Sequence, residues 1–127
     1  MKKILFTLLI CMSIFAKPSF AGTCNGGVEF QGAVNGHTYC RSSTTMTWWA
    51  TIGWCKKQGR ELASMDQLCD WKNVTGDTSC PNMKVSGADY WGWSSNPNHS
   101  DGAFAVNMLR GNQGAAYRNN IYFAICY

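Results

Sequence analysis

Two hydrophobic rhythms run along this chain. From Thr47 the apolar positions follow a helical spacing: Trp48, Ile52 and Cys55 fall on one face at i, i+4 and i+7. Thr47 suits the N-cap, Lys56 and Lys57 complement the dipole near the far end, and Gly59 supplies the stop. Gly53 costs up to about 1 kcal/mol inside such a helix, which predicts close packing at that point. Ser64-Met-Asp-Gln67 has the form of a capping box and opens a second predicted helix carrying Leu68, Cys69 and Trp71.

The other rhythm is that of short strands. Val28, Phe30 and Gln31 read as one strand, Asn35-Gly36 as a hairpin turn, and His37 to Arg41 as the returning strand. Asn73 to Gly87 is polar and rich in turn residues. Beyond it, Tyr90-Trp91-Gly92-Trp93 reads as a strand and Ser94 to Gly102 as a loop containing Pro97. In Ala103 to Leu109, Phe104, Val106 and Met108 alternate with Ala105, Asn107 and Leu109, the period-2 pattern of a strand. Gly111 to Gly114 reads as a turn, and Ile121 to Cys126 as the last strand.

The first 21 residues follow neither rhythm. Lys2 and Lys3 precede an apolar run from Ile4 to Phe15, and Ser19-Phe20-Ala21 places small residues at −3 and −1. This is the pattern of a secretory signal peptide cleaved after Ala21, leaving 22–127 as one small domain. Lys17 and Pro18 interrupt the run too early for a membrane span. The short Met-Lys-Lys start suggests a bacterial protein exported to the periplasm, the medium or the cell surface. Removing Lys2, Lys3 and Lys17 lowers the Lys+Arg count from 11 to 8, against 7 Asp+Glu. The domain is then nearly neutral, which gives no argument for a nucleic-acid partner or an anionic membrane. Six cysteines remain: Cys24, Cys40, Cys55, Cys69, Cys80 and Cys126. In an exported chain they imply three disulfides, with 15 pairings open.

Trp48, Cys55, Gly59 and Leu62-Ala63-Ser64, then Tyr90-Trp91-Gly92 and the closing Phe123-Ala-Ile-Cys126, resemble in spacing the C-type lectin-like domain. The resemblance covers almost all of 22–127. Thr51 departs from the usual alanine, and the N-terminal cysteines stand farther apart than usual. The resemblance implies an α+β fold of two helices, short antiparallel sheets and long loops, with three disulfides. It pairs Cys55 with Cys126 and Cys24 with Cys40, leaving Cys69 and Cys80 for each other. The first of these closes a loop of about 70 residues, worth on the order of 4 kcal/mol.

Sugar-binding members of that family hold calcium with a proline-centred acidic loop and an Asn-Asp pair on the next strand, and their proline is cis. Asn96-Pro97-Asn98 has the shape of that loop, but Asn96 stands in place of a carboxylate and Ala115-Ala116 occupies the place of the pair. Asp101 is the one acid nearby, and Asn119 and Asn120 offer amide oxygens. A calcium ion needs six to eight oxygens, several of them charged, so one carboxylate makes a weak site: no cofactor and no metal ligand is assigned, and calcium is the alternative to a polar surface loop with a turn proline. Trp93, Tyr117 and Tyr122 add aromatic faces among amides, a surface suited to sugar stacking or protein contact. Of the other tryptophans, Trp48, Trp54, Trp71 and Trp91 are expected in the core. The two histidines, His37 and His99, form no recognisable catalytic set. The sequence thus predicts a binding module rather than an enzyme. Its expected ligand is a glycan, as for a lectin or adhesin, with a protein partner at the same face as the alternative. The expected ligand-binding residues are Trp93, Asn96, Asn98, Asp101, Tyr117, Asn119, Asn120 and Tyr122.

Overall fold

The computed structural model describes residues 22–32, 36–69 and 88–127. The elements are β1 (Gly27–Gln31), β2 (Thr38–Met46), α1 (Trp48–Lys57), α2 (Met65–Cys69), β3 (Trp91–Asn98), β4 (Gly102–Asn107), β5 (Gln113–Tyr117) and β6 (Tyr122–Cys126). All six strands join one sheet in the order β1-β2-β6-β3-β4-β5. Neighbours are antiparallel except β3 and β6, where Gly92 and Trp93 pair in parallel with Phe123 and Ala124.

This corrects the expected fold class. The described residues form a six-stranded mixed sheet with two short helices of 10 and 5 residues, not a pair of helices over short antiparallel sheets with long loops. The architecture is not identified as a C-type lectin-like fold. Two disulfides, not three, lie among the described residues: Cys24–Cys40 and Cys55–Cys126. Cys80, the expected partner of Cys69, lies outside them, as do Ala21, Asn35, Trp71 and the turn-rich stretch 73–87.

The sheet is larger than expected because strands run through segments that looked like loops. Ser94 to Asn98 continues β3, and a register irregularity between Trp93 and Pro97 lets Pro97 and Asn98 pair with Ala103 and Gly102. Proline is tolerated at such a bulge. Every described peptide bond is trans, Pro97 included. The turn expected at Gly111-Asn-Gln-Gly114 lies earlier, at Met108 to Arg110, and Gln113 and Gly114 already belong to β5. Four residues of β5 are glutamine, glycine and alanine, so propensity offered little signal; pairing with β4 makes it a strand.

Period-2 alternation divides the core into two layers. Ala124 and Cys126 of β6, with Trp93, Ala103 and Ala105, pack on the face covered by α1 through Cys55, Trp48, Ile52 and Trp54. Ile125, Val106 and Met108 face the other way, towards Tyr39, Met65 and Leu68 beside α2. The α2 capping box forms as predicted. Ser64 N donates to Gln67 Oε1 at 2.9 Å and Gln67 N donates to Ser64 Oγ at 3.2 Å. Gly59 ends α1 with φ +69°, a left-handed position that favours glycine. Gly53 does not mark close packing: it is exposed, and a Cβ there would meet open space.

Candidate functional site

The β3–β4 hairpin turns through His99, Ser100 and Asp101, between the paired residues Asn98 and Gly102. Two features close this turn. A Cβ on residue 102 would lie 2.4 Å from the Asn98 carbonyl oxygen, so only glycine lets the strands approach. His99 takes φ +59°, the one non-glycine residue in the left-handed region among those described. The turn from β5 to β6 lies beside it. Arg118 N donates to the Asp101 carbonyl at 2.8 Å, and Asn120 N donates to the Tyr117 carbonyl at 3.0 Å.

These two turns bound an open hollow of about 530 Å³. Asn98, Asp101, Tyr117, Asn120 and Tyr122 line it. Ala115, Ala116 and Gly102 keep it shallow and free of bulk, and His99 stands at its rim. Tyr117 is 66% exposed and offers a ring face to solvent. Tyr122 is half-buried, its ring 4.8 Å from that of Trp93, so it supplies a fixed wall. Asp101 is exposed and its carboxylate has no ion pair among the described residues. Two asparagines, one aspartate and two tyrosines therefore border one space, a set able to donate and accept several hydrogen bonds beside an aromatic face.

Three predicted site residues stand elsewhere. Trp93 is fully buried in the α1-side core, with its indole N–H donated to the Met46 carbonyl at 3.1 Å. β3 is an interior strand between β6 and β4, covered on both faces, and that burial was invisible in a local reading. Trp48, Trp54 and Trp91, expected in the core, are partly buried and pack around the same cluster. Asn96 spends its side chain internally: Oδ1 accepts from Met65 N at 2.7 Å and so helps hold the start of α2. Asn119 is exposed on the turn but does not line the hollow. The expected calcium loop is thus divided, with Asn96 tied to α2 and Asn98 at the hollow. Among the described residues no three His, Cys, Asp or Glu side chains cluster as metal ligands.

Sequence reasoning missed Arg118. Its Nε donates to the Gly102 carbonyl at 2.9 Å and its Nη2 to the His99 carbonyl at 3.0 Å. Its guanidinium lies 4.4 Å from the centre of the Trp48 ring and 5.7 Å from that of Trp49, both within cation–π range. Its own carbonyl accepts from Trp48 N at 3.0 Å, at the first turn of α1. One side chain thus joins the hollow to the start of α1. The available signal was the Trp48-Trp49 doublet: adjacent helical residues point about 100° apart, so one of the two had to leave the core.

No family model matches the chain, and no curated protein matches it either. The resemblance to the C-type lectin-like domain gains no support from them. The two disulfides indicate an extracellular or otherwise oxidising compartment. Among the described residues no helix is long and apolar enough to cross a membrane.

Proposed function

We propose that this protein is a secreted carbohydrate-binding module, a lectin or adhesin domain, whose ligand sits in the hollow between the β3–β4 and β5–β6 turns. One observation carries the reading: Asn98, Asp101, Tyr117, Asn120 and Tyr122 converge on one open space. Saccharides present hydroxyls in several directions and apolar C–H faces. Amides and a carboxylate satisfy the first, and an exposed tyrosine ring suits the second. The shallow shape fits a ligand held at the surface. Binding, rather than chemistry, is the role proposed, and it does not require a cation. The oxidising compartment, together with the leader expected over residues 1–21, supports export to the periplasm or the cell surface.

A second reading, a protein partner on the same side of the molecule, is favoured by the sheet edge. Among the described residues β5 stands last in the sheet, beside β4, and reads Gln-Gly-Ala-Ala-Tyr, with no charge or proline to block a further strand.

The deciding experiment is a glycan array probed with the oxidised 22–127 domain, first with calcium and then with a chelator. The expected result is binding to a restricted set of glycans in both conditions, lost in Asn98→Ala/Asn120→Ala while thermal stability holds. Binding lost with the chelator would replace the direct site with a calcium-bridged one. No glycan bound in either condition would shift the reading to the β5 edge and a protein partner.

A further inference from the structure

Resting on the carbohydrate reading, we infer that Trp49 forms a second sugar-ring subsite, so that the ligand is an oligosaccharide of at least two residues rather than a monosaccharide. Trp49 is 55% exposed although it is a tryptophan in a small domain whose other described tryptophans are buried or partly buried. It is not loosely held. The Trp48 ring meets it edge-on at 5.9 Å between centroids, and the Arg118 guanidinium lies 5.7 Å from its centre. Arg118 is in turn fixed to the hollow through the carbonyls of His99 and Gly102. The main-chain bond from Trp48 N to the Arg118 carbonyl ties α1 to the same turn. The indole is therefore held by two ring contacts and joined to the hollow's wall through the Arg118 guanidinium.

Part of the hollow's wall lies on this same face of the sheet, since Ala116 and Tyr122 pack against the core cluster that also receives Trp48. Its exposed ring is Tyr117, next to Arg118 in the chain. Trp49 supplies a second exposed ring, in contact with the Arg118 guanidinium. Arg118 uses Nε and Nη2 for the two carbonyls, and Nη1 has no hydrogen bond among the described residues. Its N–H groups are available to hydroxyl or ring oxygens of a saccharide crossing from one ring to the other. Two exposed aromatic rings with a donor beside them suit a glycan chain, in which each ring has an apolar face and each linkage is flanked by oxygens. A single sugar in the hollow leaves Trp49 without a role.

The test compares matched mono-, di- and trisaccharides of glucose, galactose, mannose and N-acetylglucosamine by array and then by calorimetry. It uses the wild-type domain, Trp49→Ala and Trp49→Phe. Wild type is expected to bind the disaccharide about tenfold more tightly than the monosaccharide, the size of one good ring contact. Trp49→Ala should erase that preference and leave monosaccharide affinity unchanged, and Trp49→Phe should restore most of it. Equal affinity of wild type for mono- and disaccharide, or a length preference that survives Trp49→Ala, overturns the second subsite while leaving the hollow in place. Failure of every saccharide to bind wild type overturns the carbohydrate reading, and this inference with it.

Discussion

The two ends of the sheet are held by different means. At the β1–β2–β6 end, Cys24–Cys40 fastens the segment before β1 to β2, and Cys55–Cys126 fastens α1 to β6. Arg60 is buried there and reaches the carbonyls of Thr23, Thr38 and Gly22 at 2.9–3.0 Å, with the Tyr127 main-chain oxygen at 3.3 Å and Glu29 at 3.5 Å. At the β4–β5 end the described residues contain no disulfide. There Arg118 makes two carbonyl bonds and keeps part of its guanidinium beside the exposed Trp49 ring. Both arginines stitch separate segments together. Arg60 is saturated by the fold, whereas Arg118 keeps donor capacity at the surface. A small domain that concentrates its covalent stability at one end can leave polar and aromatic groups unspent at the other, and that is where the hollow lies.

Breaking the clamps gives the largest expected effect. Cys55–Cys126 spans a sequence separation of 71 and Cys24–Cys40 one of 16. Chain entropy puts the longer bridge at on the order of 4 kcal/mol and the shorter at about 3. Paired serine variants unfolded in denaturant should follow that order, with Cys55→Ser/Cys126→Ser the more damaged. The reverse order would mean that native-state strain outweighs loop closure.

A second pair of variants separates the buried aromatic from the exposed one. Trp93→Ala should cost about 3 kcal/mol or more, because it empties a fully buried site. Tyr117→Ala should change stability by no more than about 0.5 kcal/mol and should abolish saccharide binding. A destabilised Tyr117→Ala would show that the hollow is a structural element and that the contrast between the two ends is false.

The smallest effect is a pH dependence confined to alkaline solution. Burial pushes the Tyr39 phenol from 10.0 up to about 12, with the neighbouring Tyr127 adding to the shift. The neutral phenol donates to the Gln67 carbonyl at 2.6 Å. Because the folded value is the higher one, this contribution to stability is complete below pH 10 and is lost as the pH rises towards about 12. Burial raises Tyr90 as well, opposed by Arg41, so some slope should remain without Tyr39. Melting temperatures measured from pH 8 to 12 should fall less steeply in Tyr39→Phe than in wild type. Equal slopes would remove Tyr39 from the account.

Much of the clamped end was legible in the chain. The helix over α1, the capping box at Ser64, the β1–β2 hairpin and the closing strand all follow from local periodicity and capping chemistry, which depend on neighbours in sequence. The pairings Cys24–Cys40 and Cys55–Cys126 came from the resemblance, and the geometry has both, although the fold expected with them does not hold. The hollow was legible as residue types: five of the eight expected residues meet there because amides, tyrosines and one acid crowd the turns of the C-terminal third. Local pattern misassigned Trp93, which shows its burial only once β6 and β4 lie on either side of it.

Sequence alone determined where both helices begin and where α1 ends, and which polar and aromatic side chains were available for recognition. These are short-range properties of capping, propensity and period. Tertiary structure decided the rest. It placed β6 between β2 and β3, made Gln113–Tyr117 a strand through pairing with β4, drew Asn96 away to α2, and brought Arg118 between the hollow and Trp49. Each of those outcomes depends on a backbone group or ring supplied from a distant part of the chain, and no local pattern can carry that information.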